Sequence, residues 1–193
     1  SLIYHAWITL SSTLAGFALG ALLGIGLAIA IVHSTFLSKS LMPWIVASQT
    51  IPILAIAPMV IVVLGSIGFT GLLPKSLISM YLCFFPVTIG MVKGLNSPDV
   101  IHRDLMRTYN ASPSEILWKL RLPASVPYVM AALRISVPLS LIGAVVAEWM
   151  SGDGGMGQII LIDNGEFDTA GLFGAVTVLA VIGVVLTAAV AYI

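Results

Sequence analysis

The side chains able to do chemistry gather in one stretch, residues 99–127, which reads Asp-Val-Ile-His-Arg-Asp-Leu-Met-Arg-Thr-Tyr-Asn-Ala-Ser-Pro-Ser-Glu-Ile-Leu-Trp-Lys-Leu-Arg-Leu-Pro-Ala-Ser-Val-Pro. It holds Arg103, Arg107, Lys119 and Arg121, half of the 8 Lys and Arg in the chain, together with Asp99, Asp104 and Glu115. Their spacing suits recognition rather than catalysis. Ser112-Pro113-Ser114-Glu115 is a capping box: the Ser112 hydroxyl can accept from the Glu115 amide while the Glu115 carboxylate reaches back to the Ser112 amide. Pro113 falls at the first helical position, where its missing N–H is no loss. The helix so started carries Ile116, Leu117, Trp118, Lys119 and Leu120 and is expected to stop before Pro123. It is too short to stand alone, so something must hold it. Upstream, Arg103 to Tyr109 reads as a further helical turn or two, broken at Asn110, a residue that tolerates the left-handed conformation. Ile116, Leu117 and Trp118 could enter a partner's groove with Lys119 and Arg121 at the rim. An interfacial helix resting on lipid headgroups would show the same residues.

Enzymatic chemistry has no foothold in the sequence. His5, His33 and His102 fall in separate segments, and neither Gly-x-Ser-x-Gly nor His-Glu-x-x-His occurs. The run Gly152-Asp153-Gly154-Gly155-Met156-Gly157 suggests a phosphate loop, but no Gly-Lys-Ser/Thr follows it. It reads instead as a turn-rich external segment before the apolar run 158–162. The single cysteine, Cys83, excludes an internal disulfide and a thiolate metal cluster, and no metal site is expected. No basic stripe with interleaved aromatics supports nucleic-acid binding.

The elements that must carry this stretch are membrane spans. The chain of 193 residues is 59% hydrophobic and only 8% charged, where a soluble domain has about 25% charged residues; mean hydropathy is +1.11. A spanning helix needs roughly 20 apolar residues, and five segments qualify: 7–32, 42–64, 72–92, 126–147 and 170–193. They form one all-α, polytopic transmembrane domain over 1–193, with 99–123 as a cytoplasmic loop within it. Gly16, Gly20 and Gly24 repeat every fourth position of the first span, a face that lets another helix come close. Lys39 and the basic cluster share one side of an alternating five-span topology, whereas the 149–169 loop has Asp153, Asp163, Glu166 and Asp168 and no Lys or Arg. The positive-inside rule therefore puts the cluster in the cytoplasm and the N-terminus outside. An odd number of spans and a first residue that is Ser rather than Met lead us to expect a preceding helix.

Within the spans, Ser48, Gln49, Thr50 and Pro52, with Pro58 further on, interrupt the second. Irregular polar backbone at that depth survives only against protein or a water-filled cavity, so these residues are candidates for a translocation path; helix–helix hydrogen bonding at a kink is the equal alternative. Arg134 is expected to snorkel or to pair with the loop. Glu148, at the opposite end of that helix, either guards an outer mouth or is a solvated helix end.

The 99–127 stretch resembles the cytoplasmic loop of ABC-importer permeases, the membrane subunits of binding-protein-dependent transport systems. That family's pattern is Glu-Ala-Ala, three residues, Gly, nine residues, an aliphatic, one residue, Leu-Pro. Asp104 takes the Glu position, Leu105 and Met106 the Ala positions, Asn110 the Gly, Leu120 the aliphatic and Leu122-Pro123 the closing pair. The resemblance runs on through Pro127-Tyr128, Ala132-Leu133-Arg134 and Gly143 to Glu148, and is nearest to permeases of the nitrate, sulfonate, taurine and pyrimidine-precursor type. It implies a type I importer permease fold in the inner (plasma) membrane. It implies ATPase coupling through Asp104, Asn110, Ala111, Ser112, Pro113, Glu115, Ile116, Leu117, Lys119, Leu122 and Pro123. It also implies two cytoplasmic ATP-binding subunits, a second permease copy forming a homodimer, and an extracytoplasmic solute-binding protein. ATP and Mg would be used by the partner, with no cofactor on this chain. The expected substrate is a small organic anion or heterocycle. A stand-alone channel or secondary transporter is the rival; it would want an intramembrane ionisable relay or an inverted repeat.

Overall fold

Three long helices meet because glycines remove the side chains that would keep them apart. In the computed structural model, which describes residues 1–192, α1 (Leu2–His33) lies along α4 (Leu72–Leu95). Gly16, Gly20 and Gly24 of α1 face Ser79, Cys83 and Val87 of α4, so both helices present every fourth residue to the other. A Cβ at Gly20 would run into the Cys83 sulfur, and one at Gly24 would come within 2.9 Å of Val87. The other face of α4 packs on α7 (Leu122–Ser151) in the same manner: a Cβ at Gly143 would stand 2.7 Å from Ser79 Cα, and one at Gly94 2.8 Å from Ser125. Ser79 Oγ donates to the Ser140 carbonyl at 2.7 Å and Ser136 Oγ to the Cys83 carbonyl at 3.3 Å, polar contacts between neighbouring spans. Because overpacking costs about 1–3 kcal/mol, Gly20→Leu should lower thermal stability in detergent by about 3 kcal/mol. Gly26→Leu, which meets open space, should be neutral in the same melting assay.

The remaining elements are α2 (Thr35–Ser48), α3 (Ile53–Ser66), α5 (Val100–Thr108), α6 (Pro113–Ile116), α8 (Met156–Gly165) and α9 (Thr169–Ala191), with a π-helical turn over Leu117–Arg121 between α6 and α7. Helices alone make up the secondary structure of the described residues. Four helices are long and apolar enough to cross a membrane, or five spans if α2 and α3 count together. The first, third and fourth expected spans are each extended at both ends or at one, to Leu2–His33, Leu72–Leu95 and Leu122–Ser151. The fifth is α9; its expected last residue, Ile193, lies outside the described residues.

The second span differs from expectation. It begins at Thr35 and breaks into two helices bent by 99° at residues 49–52. Pro43 and Pro58 sit inside α2 and α3 without breaking them. Pro52 does break the chain, since it forces Ile51 out of helical conformation and becomes the N-cap of α3. The carbonyls freed at the end of α2 are taken up locally: Ser48 Oγ donates to Ile45 O at 2.7 Å and Thr50 Oγ1 to Ala47 O at 2.7 Å. The Tyr81 hydroxyl donates to the Ser48 carbonyl and ties the bend to α4.

Candidate docking segment and outer polar cluster

The two ends of the bundle carry two different polar assemblies. At one end, α5, α6 and the π-turn form a projection. Asn110 holds the corner between α5 and α6 in the left-handed region at φ 54°, while the Ala111 amide closes the end of α5 on Met106 O at 3.0 Å. The capping box forms in both directions: Glu115 N donates to Ser112 Oγ at 3.3 Å and Ser112 N to Glu115 Oε2 at 3.0 Å. Lys119 Nζ holds the other carboxylate oxygen at 2.9 Å. The Lys119 ammonium, helped by the Ser112 amide and hydroxyl, pulls the Glu115 carboxyl down to about 2. A depressed carboxylate contributes its stability above its unfolded value and loses it as pH falls. The α6 cap should therefore survive at pH 4.5 and be lost only as pH approaches about 2. Amide exchange at Glu115 and Ile116 reads this directly, and Glu115→Gln should abolish the pH step.

Two expectations for this segment need correction. The helix does not stop before Pro123: it runs from Pro113 through the π-turn into α7 without interruption. In an α-helix the Pro123 ring would strike the Lys119 carbonyl; here the turn just before it is widened, with Leu122 N bonded to Leu117 O, five residues back. Pro123 thus enters at the first turn of α7, where it needs no donor. Leu117, expected to offer itself to a partner, is buried with Ala28, Met91 and Leu95 and anchors the segment to α1 and α4. Ala111 and Ile116 are half-buried, as is Leu122, while Asp104, Asn110, Ser112, Pro113, Glu115, Lys119 and Pro123 are exposed.

The sequence reading expects a helical turn or two over residues 103–109, and α5 starts earlier, at Val100; what it misses is the apolar face this helix leaves open. The helix has no buried residue, and Ile101 at 79%, Leu105 at 51% and Tyr109 at 76% exposure stand bare. The signal was present: Ile101 and Leu105 are four apart, one face of a helix.

At the opposite end, five segments converge on Glu148. It is neither a solvated helix end nor an open mouth; its side chain is wholly buried. Thr9 Oγ1 of α1 donates to Glu148 Oε2 at 3.0 Å and the Gly157 amide does so at 2.8 Å. The Met156 amide donates to Thr9 Oγ1 at 2.8 Å, and the Gly155 amide to His5 Nδ1 at 3.1 Å. Lys75, in the first turn of α4 and buried, donates to Gly154 O at 3.0 Å and pairs with Asp153 at 2.7 Å. Burial pushes the Asp153 carboxyl up, but Lys75 and the Ser151 hydroxyl outweigh it and hold the group below its ordinary range. The glycine run is thus an internal clasp. Gly155, at φ 117°, adopts a backbone that side chains avoid, and any Cβ there would overlap the Glu148 carboxylate. His5, Thr9, Lys75 and Asp153 were not foreseen as a group; a lone Lys at the mouth of an apolar helix and a lone Asp in a glycine run were the available hint.

The remaining sequence candidates lie apart. Ser48 is half-buried, and Gln49, Thr50 and Pro52 are exposed at the bend, with Gln49 Nε2 donating to Ser48 Oγ at 3.3 Å. Arg134 donates to the Ala191 carbonyl at 2.9 Å, so it closes the end of α9 instead of pairing with the 99–127 loop. No cluster of three metal-ligating side chains occurs among the described residues.

A bundle of spanning helices, with a capped charged projection at one end and a buried polar clasp at the other, defines a multi-pass membrane protein. Residues 20–193 match the family described as the binding-protein-dependent transport system inner membrane component, and the chain belongs to that family. It is 35% identical, over 94% of its length, to a probable ABC transporter permease protein of Haemophilus influenzae, 73% of which is covered. It is 32% identical over 93% of its length to a formylaminopyrimidine transport permease protein of Halalkalibacterium halodurans, 70% of which is covered. A riboflavin transport system permease protein of Chloroflexus aurantiacus is 33% identical over 92% of this chain and is itself 65% covered. The chain is accordingly an inner-membrane permease subunit of an importer, and the proteins it resembles are permeases rather than enzymes.

Proposed function

We propose that this permease lines a solute path and is driven by a cytoplasmic ATPase gripping residues 104–123. The observation that carries the reading is α5: a helix of 9 residues with no buried side chain has no packing of its own to hold it and needs a partner. Ile101, Leu105 and Tyr109 supply the apolar contact, and the capped α6 corner beside them delivers the motion. Hydrolysis of ATP, with its Mg, belongs to that partner. A second copy of this chain completes the path in a homodimer, facing the exposed bend at Gln49, Thr50 and Pro52; a solute-binding protein loads it from outside. The names of the formylaminopyrimidine and riboflavin relatives support a small heterocycle as the cargo, with a small organic anion next.

The test is purification of the tagged chain from its native membrane in mild detergent. An ATP-hydrolysing protein should come with it in equal amount, and should be lost from Ser112→Ala/Glu115→Ala, which removes the cap without touching the buried core. A chain that remains alone even after crosslinking in the membrane rejects the coupling and turns attention to a stand-alone channel, read by conductance.

A further inference from the structure

At the projecting end, positive charge outnumbers negative charge. A pocket of about 300 Å³ lies between Val32 and His33 of α1 and Arg107, Ile116, Leu117 and Arg121 of the docking segment. Arg103 and Arg107 both repel the Arg121 charge. The nearest carboxylate, Asp104, sits 3.7 Å from Arg107 with both side chains exposed, and Glu115 is committed to Lys119. Arg121 Nε is buried without a hydrogen-bond partner, and a buried donor left unmade is expensive. His33 Nδ1 lies 2.9 Å from Ile29 O; a ring N–H donated there leaves Nε2 uncommitted.

Beside this pocket runs a groove of another character, about 480 Å³, whose lining includes Ile25, Met91, Trp118, Leu122, Val126 and Val129. Ile25 and Val32 are two turns apart on α1, about 10 Å along its axis. The charged pocket therefore stands at the end of the bundle and the apolar groove one step toward the membrane interior. Trp118, 68% exposed, stands at the groove, a placement suited to an amphipathic ring at the headgroup level.

We propose that the cleft between α1 and residues 107–122 binds an anionic phospholipid of the inner leaflet, its phosphate on Arg107 and Arg121 beside His33 and an acyl chain in the Ile25–Val129 groove. Guanidinium forks suit a phosphate diester, and basic pockets between spanning helices on the cytoplasmic side take such headgroups. A carboxylate from a docked protein would answer the arginines but leave the adjoining apolar groove empty. The inference rests on the inward orientation of the docking segment. It does not require the ATPase, so it can be tested on the permease alone.

The experiment reconstitutes the delipidated full chain into nanodiscs of phosphatidylcholine with phosphatidylglycerol, returns it to mild detergent, and counts retained lipid by native mass spectrometry. Phosphatidylglycerol should be retained over phosphatidylcholine by at least about tenfold, since basic groups near the surface favour an anionic headgroup. Arg107→Gln/Arg121→Gln should erase the preference, Arg121→Lys should weaken it, and Lys39→Gln, a basic residue outside the pocket, should keep it. Millimolar inorganic phosphate should not displace the lipid. Equal retention of both lipids overturns the proposal, as does a preference that survives the double substitution. Displacement by inorganic phosphate reassigns the pocket to a soluble anion and also overturns it. If the double variant sheds the ATPase with lipid retention unchanged, the arginines serve a protein carboxylate and the proposal fails. Should Arg121→Gln not fold, Arg107→Gln alone decides, since that side chain is 76% exposed.

Discussion

Ile101→Glu combined with Leu105→Glu should reduce solute uptake in proteoliposomes by more than about tenfold, and should leave the melting temperature of the isolated permease unchanged. Neither side chain contributes to the chain's own core, as α5 buries nothing, so the folded state has little to lose. If an ATPase covers this face, the substitution places carboxylates in a desolvated contact, and an unpaired buried charge costs several kcal/mol; a single factor of ten needs only about 1.4 kcal/mol. Delivery of solute by the binding protein should be untouched, so the loss should appear in turnover and in ATPase co-purification together. Full uptake in the double variant would remove α5 from the coupling contact and leave α6 alone to carry it.

The second large effect concerns stability at the Lys75–Asp153 clasp. Asp153→Ala should destabilise the permease by about 3 kcal/mol, because stripping one partner from a buried ion pair leaves the other charge uncompensated. Lys75 is 2% exposed, and among the described residues its other hydrogen-bond acceptor is the Gly154 carbonyl, with the Glu148 carboxylate acting only at longer range. The estimate is set at the low end because Asp153 is itself 37% exposed. A chain of this size should then melt about 10 °C lower. Lys75→Met/Asp153→Ala should recover much of the loss, since the pair is removed together; two independent, additive losses would rule the ion pair out as the cause. The pH dependence has a definite sign. Lys75 holds the Asp153 carboxyl below its ordinary 3.8, so its stabilising contribution is complete at neutral pH and is lost only as pH falls through the folded value below that.

The features legible in the sequence were those fixed by a few neighbouring residues. Ser112, Pro113 and Glu115 specify a cap within a single turn, Asn110 suits a left-handed corner, and the four-residue glycine spacing in α1 announces a close neighbour without naming α4. Pro52 marked an interruption, though not its 99° angle, which depends on how α3 packs on Ile78 and Val146. Pro123 misled for a physical reason: the rule that proline ends a helix assumes an α-helical turn ahead of it, and five residues of π geometry suspend that assumption. Glu148 and Lys75 were beyond local reading. Thr9 lies 139 residues from Glu148 and Gly154 lies 79 from Lys75, so the clasp exists only once the bundle has brought them together.

The uninterrupted helix from Pro113 to Ser151 has a mechanical consequence. At 1.5 Å per residue, its 39 residues form a strut roughly 58 Å long, with one tip among the exposed corner residues and the other inside the Lys75–Glu148 clasp. It packs along α4 over much of its length: a Cβ at Gly94 of α4 would stand 2.8 Å from Ser125, one at Gly90 2.5 Å from Ala132, and one at Gly143 2.7 Å from Ser79. A stiff body clamped along its length to a neighbouring helix moves as one piece, so displacement of one tip carries the other with it. Force applied at Ser112 would thus reach the far side of the membrane by rigid-body movement, with no chain of side-chain rearrangements in between.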